Sequence, residues 1–306
     1  MIRLLSLLPS ATEIVYELGA ARALVGVTHE CDYPEGVRSL PRVTAAKIHP
    51  AMESGAIDAL VREQLDDSGT LYTLDMDLLR ELRPEIVLTQ QLCTVCAVGY
   101  ATVHAAMRSL PDPPQVVNLE PKNLEDVLGT IIHVGELLGL RDEAIARVDA
   151  LRERLAAIPR FAEPPRVLLL EWLIPPFSAG HWMAELVEAA GGIPVLANRG
   201  EYSRQLSWDT INAASFDVVA VSCCGFDVER AMRDIETSNP LHELLRERPS
   251  LRLILFDGNH FFSRPGPRLV ESAELLHHAL AGRAAEDVVS SVPEAYRLID
   301  TIAFAA

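Results

Sequence analysis

Positive charge is scarce in this sequence. Its 27 Lys and Arg stand against 43 Asp and Glu, a formal net charge of −16 over 306 residues. Such a chain repels phosphate backbones and no basic cluster offsets the imbalance, so nucleic acid and polyanionic membrane surfaces are excluded as partners. No run reaches 18 uninterrupted apolar residues, so no membrane span is expected. Cysteines number five, an odd count in a long chain, which is no disulfide framework of the small secreted kind. There is no Gly-rich phosphate loop, no G-x-S-x-G elbow and no H-E-x-x-H, which removes the usual support for a dehydrogenase, kinase or ordinary hydrolase.

What is present is apolar enough, at 49%, to build packed cores. Short apolar runs alternate with helical stretches, the pattern of an α/β chain. Strands are expected at 2–8, 23–28, 85–90 and 115–119, then at 166–171, 217–222 and 252–257, with a short one near 193–196. Helices are expected between them, and a last helix near 293–303. The stretch 123–158 reads as helix with an interruption at Gly139, and Pro159, Pro164 and Pro165 end it. The expected organisation is an amino-terminal α/β lobe over 1–121, a helical connector over 122–160 and a carboxyl-terminal α/β lobe over 161–306. The fold class is thus two Rossmann-like lobes with parallel-rich sheets joined by a long helical connector.

Met1–Leu8 is apolar, but Pro9, Ser10 and Glu13 interrupt it and no small-residue cleavage site follows. It reads as a buried strand feeding a helix, with Ser10 and Glu13 at capping-box spacing. The expected compartment is the cytoplasm, or the periplasm if an export signal has been removed.

Ligand sites of parallel α/β sheets gather at the carboxyl ends of strands. Those ends carry Pro9 and Ser10, then His29, Glu30, Cys31 and Tyr33, then Gln90 with Cys93 and Cys96. In the second half they carry Glu171 and Trp172, Cys223 and Cys224, and Asp257 with His260. All five cysteines fall in these segments. Cys93-x-x-Cys96 is open to three readings: a redox pair, part of a metal site, or two unremarkable buried thiols. Cys31, Cys93 and Cys96 together would also suit an iron–sulfur cluster with one open iron position. All three tryptophans lie in the second half, and Trp172 and Trp182 are candidates for the wall of a large flat ligand. Arg264 and Arg268 stand just ahead of the last long helix, where either would meet an anionic ligand or brace the loop by ion pairing.

Leu5–Glu13, Gly26–Pro34 with its His-Glu-Cys-Asp-Tyr-Pro run, Leu82–Gln90 and Ser263–Arg268 resemble the cobalamin-binding members of the ABC-transporter substrate-binding proteins. The resemblance covers nearly the whole chain and is to a cytoplasmic-looking branch of that family. It implies the class III, helical-backbone fold, with a corrinoid or other metal chelate held in a cleft between the lobes. Pro9, Ser10, His29, Glu30, Tyr33, Gln90, Glu171, Trp172, Trp182, Cys223, Asp257, His260 and Arg264 are the expected ligand-binding residues. Cys31, Cys93 and Cys96 are the expected metal ligands.

The first functional expectation is a binding protein for a corrinoid, cobalamin-like, or another small-molecule metal chelate. Without an export signal, docking on an ABC transporter is in question. The alternative is a metal or iron–sulfur protein or enzyme using Cys31, Cys93 and Cys96, with His29, Glu30, Glu171 or Asp257 as acid, base or further ligand. A thiol-redox protein using Cys93 and Cys96 is the third.

Overall fold

In a computed structural model of the chain, the described residues are 2–46, 52–66, 72–90, 100–288, 290–292 and 294–300. They form two compact units: Met1–Pro121 with Val127–Asp149, and Lys122–Asp126 with Ala150–Ala306.

The first unit opens with strand β1 (Leu4–Ser6), helix α1 (Pro9–Glu17) and strand β2 (Leu24–Val27). There follow β3 (Thr44–Ala46), α2 (Ser54–Asp66), β4 (Tyr72–Leu74), α3 (Met76–Leu82), β5 (Ile86–Thr89), α4 (Tyr100–Arg108) and β6 (Gln115–Asn118). The main sheet has the order β2-β1-β5-β6, and every pair in it is parallel. Its short strands are buried because helices and the β3–β4 hairpin cover them, as all-parallel sheets require. One face packs Leu5, Leu7 and Val87 against Tyr72 of the hairpin, Leu79 of α3, and Val103 and Met107 of α4. None of α1's buried residues belongs to that cluster, so α1 covers the other face.

The expected capping box is not formed. The residue that caps α1 is Leu8, with no side-chain cap and Pro9 in the first turn, while Ser10 and Glu13 lie inside the helix and are buried. Proline suits that first turn because its missing N–H is one the helix leaves unpaired anyway. The helix thus starts two residues earlier than the spacing of Ser10 and Glu13 indicates.

The stretch after β6 forms two helices, α5 (Leu124–Leu138) and α6 (Arg141–Ala157). Gly139 between them has φ 73°, and the Leu140 N–H donates to the Gly135 carbonyl at 2.7 Å, which closes the end of α5. The chain passes from one unit to the other just ahead of α5, back within α5 and again within α6. Two of these passages are tied down locally. The first amide of α5, on Leu124, donates to Glu185 Oε2 at 2.7 Å. Near the end of α6, Arg154 makes a two-pronged ion pair with Glu274, at 3.0 and 2.7 Å.

The second unit contains β7 (Arg166–Leu173), β8 (Pro176–Ser178), α7 (Met183–Ala189), β9 (Ile193–Pro194), α8 (Trp208–Ala213) and β10 (Val218–Val221). It continues with α9 (Val228–Thr237), α10 (Asn239–Glu247), β11 (Arg252–Phe256), α11 (Leu269–Leu280) and β12 (Tyr296–Ile299). Its sheet runs β12-β11-β10-β7-β8, with β9 also on β7. The centre, β11-β10-β7, is parallel, while β8 and β12 are antiparallel.

The helix expected over 293–303 is corrected by β12. Tyr296 lies opposite Phe256, is 1% exposed, and its hydroxyl donates to the Arg283 carbonyl at 2.9 Å. Pairing the open side of β11 and burying that ring outweigh the local helical spacing. Residues 293 and 301–306 of that expected helix are outside the described set.

Candidate ligand site at the sheet edges

The first unit brings the expected residues of its half to one edge. Pro9 and Ser10 follow β1, His29, Glu30 and Tyr33 follow β2, and Gln90 follows β5, on three adjacent strands. Thr44 anchors the β2 loop. Its hydroxyl meets Thr28 Oγ1 at 2.8 Å and His29 Nδ1 at 2.6 Å, and it accepts from the His29 N–H at 3.0 Å. On its other side, His29 Nε2 is 3.0 Å from Glu30 Oε1, too poorly aligned to satisfy that nitrogen as a hydrogen bond. The Arg42 guanidinium donates to the His29 carbonyl at 2.6 Å, and the ring packs on Tyr72 at 5.5 Å. Cys31 is wholly buried, with Sγ 3.1 Å from Thr12 Oγ1. Gln91, Cys93 and Cys96 lie outside the described residues.

The second unit gathers the remaining candidates at the carboxyl ends of β7, β10 and β11. Backbone bonds stitch the three ends together. Cys224 N–H donates to the Glu171 carbonyl at 3.2 Å, Phe226 N–H to Cys223 O at 3.1 Å, and Asn259 N–H to Phe226 O at 3.0 Å. Gly258 lies against the Cys223 backbone with no room for a side chain. Over this edge the Trp172 ring, whose N–H donates to Ile174 O at 3.0 Å, meets Phe226 with centroids 4.8 Å apart. Arg230 stacks on Phe226 at 4.2 Å and pairs with Asp234 at 3.2 Å, a cation–π contact that braces the ring.

Beside them, Asp257 holds His260. One carboxylate oxygen accepts the His260 backbone N–H at 2.8 Å and the other lies 2.8 Å from Nδ1. The bond to Asp257, which is almost fully buried, makes Nδ1 the donor, a placement of the proton assigned from the hydrogen bond. Arg264, 6% exposed, donates to Asn259 Oδ1 at 3.0 Å. Glu171 Oε1 accepts the Gly180 N–H at 2.6 Å and so fixes the turn ahead of α7.

Trp182 and Cys223 are drawn inward. The Trp182 N–H donates to Phe262 O at 2.7 Å and the side chain is buried. Cys223 is fully buried, and that burial pushes its thiol well above the usual range, so it stays protonated. Among the described residues, no group of three or more His, Cys, Asp or Glu is placed to hold a metal ion.

Phe226, Arg230 and Asn259 were not singled out from the sequence. Phe226 had a readable signal, since it closes the β10 loop. Arg230 had none, because only the fold brings α9 against that ring. Tyr202 was also missed; it is 58% exposed and meets His181 edge-on at 5.0 Å.

His181 itself has φ 53°, held by bonds to Glu201 O and from Gly200 N–H. Its Nε2 is buried without a partner among the described residues, and that burial lowers its pKa below the ordinary histidine value. The folded state therefore resists a proton that the unfolded chain accepts near pH 6.5, and stability is lost as pH falls through and below that value. Melting curves at neutral and mildly acidic pH should show His181→Asn losing less stability in acid than the unmodified chain, Asn being suited to the positive φ. Equal acid sensitivity would remove His181 as the cause.

A cavity of about 500 Å³, lined by Arg160, Phe161, Glu185, Glu188 and Arg199, lies in the second unit. It sits beside Ile193, which pairs with the first residue of β7. That is the amino end of the sheet, opposite the edge where parallel α/β sheets bind ligands.

Comparison with known proteins agrees with the fold. A family model described as periplasmic binding protein matches residues 5–250. A periplasmic heme-binding protein from Pseudomonas aeruginosa superposes with TM-score 0.67 at 18% identity, covering 97% of each chain. The periplasmic heme-binding protein RhuT from Roseiflexus sp. RS-1 gives 0.64 at 21%, covering 92% of this chain and 98% of that one. The periplasmic vitamin B12-binding protein BtuF of Vibrio cholerae gives 0.60 at 18%, covering 91% and 96%. A search of curated proteins finds no match.

Proposed function

We propose, for a chain that belongs to the periplasmic binding protein family, that it captures a flat metal chelate of the tetrapyrrole class, a corrinoid or a heme-type macrocycle. The observation that carries this reading is the edge of the second unit, where Trp172, partly exposed and resting on the buried Phe226, offers an aromatic surface beside the Asp257–His260 pair. An aromatic surface buries a macrocycle face at little entropic cost. A histidine whose Nδ1 is held by a carboxylate is the arrangement in which Nε2 serves metal centres, because the partner fixes both tautomer and ring orientation. Solved structures named for heme binding and for vitamin B12 binding share the fold, which supports the same ligand class. They are described as periplasmic, which favours that compartment over the cytoplasmic one expected from the sequence. The chelated metal is cargo in this reading, and the protein's part is to orient the ligand and exclude water.

The cysteine-based alternative gains nothing from the structure. Two of its three thiols lie outside the described residues, and the third, Cys31, is buried beside Thr12.

Titration with hydroxocobalamin and with hemin, followed by calorimetry and visible spectra, tests the proposal. Saturable binding of at least one is expected. His260→Ala should alter the visible spectrum of the complex, and Asp257→Asn should do so in the same direction but less. No heat and no spectral change with either ligand at roughly 100 µM would overturn it.

A further inference from the structure

Helix α1 begins without a cap. Its first-turn residue is Pro9, and the residue that caps it, Leu8, offers no side-chain acceptor, so the Ser10 and Ala11 amides are left as orphan donors among the described residues. Both residues are buried. On the neighbouring strand end, Gln90 is 7% exposed and its Oε1 has no partner among the described residues. A buried carbonyl left unpaired carries a full desolvation cost, and a native fold rarely keeps one without a use.

The register brings these two features together. Ser6 lies opposite Leu88, and Leu7 N–H donates to Leu88 O at 2.9 Å. Leu8, the residue that precedes α1, lies just past the end of β1, and Gln90 lies just past the end of the adjacent β5, at the same end of the sheet. Side chains alternate across a strand. Leu5, Leu7 and Val87 belong to the cluster on the α3–α4 face, while Leu4, Ser6 and Leu88 do not. Gln90 has the parity of Leu88, so it is on the face that α1 covers, beside the helix's amino end.

We propose that, within the first unit, the amino terminus of α1 and Gln90 form a subsite for a primary carboxamide side chain of a tetrapyrrole-class ligand, an assignment that rests on the tetrapyrrole reading. The amide carbonyl would accept from the α1 donors, and its NH₂ would donate to Gln90. The unpartnered atom of Gln90 is the acceptor Oε1, so a carboxamide satisfies it and a carboxylate leaves it unpaired. A helix amino terminus alone favours an anion, but an anion would leave the Gln90 acceptor unpaired. A neutral group that both accepts and donates is the match.

The test uses the full chain and its Gln90→Met variant, with dicyano-cobinamide, whose macrocycle is fringed with carboxamides, and dicyano-cobyrinic acid, whose fringe is carboxylate. The wild type should favour the amide form, and Gln90→Met should lose about tenfold of that preference, the worth of one well-made polar contact. The melting temperature of unliganded Gln90→Met should be unchanged or higher, because the variant removes a buried unpaired carbonyl. A lower melting temperature would mark Gln90 as structural and overturn the subsite, as would a preference that Gln90→Met leaves intact. Equal wild-type affinities would overturn the subsite while leaving the functional reading standing. Binding of neither corrinoid nor hemin would overturn both.

Discussion

Gly258→Ala should cost about 3 kcal/mol of stability and lower the melting temperature by about 10 °C. A Cβ at this position would sit 2.2 Å from the Cys223 carbonyl oxygen and 2.8 Å from its carbon. Both atoms are backbone, and the backbone there is committed. Cys223 O already accepts the Phe226 N–H, and Asn259 N–H is spent on Phe226 O. Neither loop can retreat without breaking a bond that joins the β10 and β11 ends, so the strain has no flexible side chain to absorb it. The residue is required for close approach, since its φ is not in the left-handed region. The same change should displace Phe226 and His260 and so weaken ligand binding along with stability. Gly129→Ala is the control. It lies in the middle of α5 with nothing within 4 Å of a new Cβ, and should raise stability by about 0.5–1 kcal/mol. Thermal melts of the two variants decide the matter, and a Gly258→Ala melt within about 2 °C of wild type would show that the strand ends can part.

Trp172→Ala should weaken chelate binding about 100-fold, a loss typical of a central aromatic anchor. Its indole is partly exposed, is oriented by the bond to Ile174 O, and rests on Phe226, which Arg230 braces from α9. The ring is thus preorganised, and its truncation removes both the surface and the rigidity. Trp172→Phe should keep most of the affinity. Trp182→Ala should behave differently. Its ring is 3% exposed and its N–H is committed to Phe262 O, so truncation should cost about 3–5 kcal/mol of stability. The ligand-binding loss of Trp172→Ala should come with a much smaller fall in melting temperature. Calorimetric titration beside thermal melts separates these outcomes. A Trp172→Ala variant that binds as tightly as wild type would take the aromatic surface out of the site.

Two tryptophans ten residues apart thus have different fates; the sequence favours Trp172 for the ligand, since it closes a strand ahead of Pro175 and Pro176, but does not show that Trp182 is buried. Trp172 ends a strand at the sheet edge, while Trp182 is turned into the core by Phe262, 80 residues away. Other parts of the protein were readable. The strands Arg166–Leu173, Val218–Val221 and Arg252–Phe256 are apolar runs long enough to be buried on both faces, and the break at Gly139 follows from its tolerance of positive φ. The hairpin of Thr44–Ala46 with Tyr72–Leu74 was not legible. Its strands are three residues each, and the pairing joins segments far apart in the chain. Strand Pro176–Ser178 was missed for the same reason, being recruited by the edge of β7.

The sequence by itself determined the α/β class, the alternation that makes parallel sheets, and the strand ends where His29, Gln90, Trp172 and His260 stand. Those follow from local periodicity and from the chain order of short apolar runs, which need no partner to be read. The tertiary structure alone decided which candidates remain available and which are consumed. Asp257 takes His260, Gly258 is pressed onto Cys223, Trp182 is buried, and the Gln90 carbonyl has no partner among the described residues. Burial and hydrogen-bond completion depend on atoms brought together across long stretches of chain, and no local pattern carries that information.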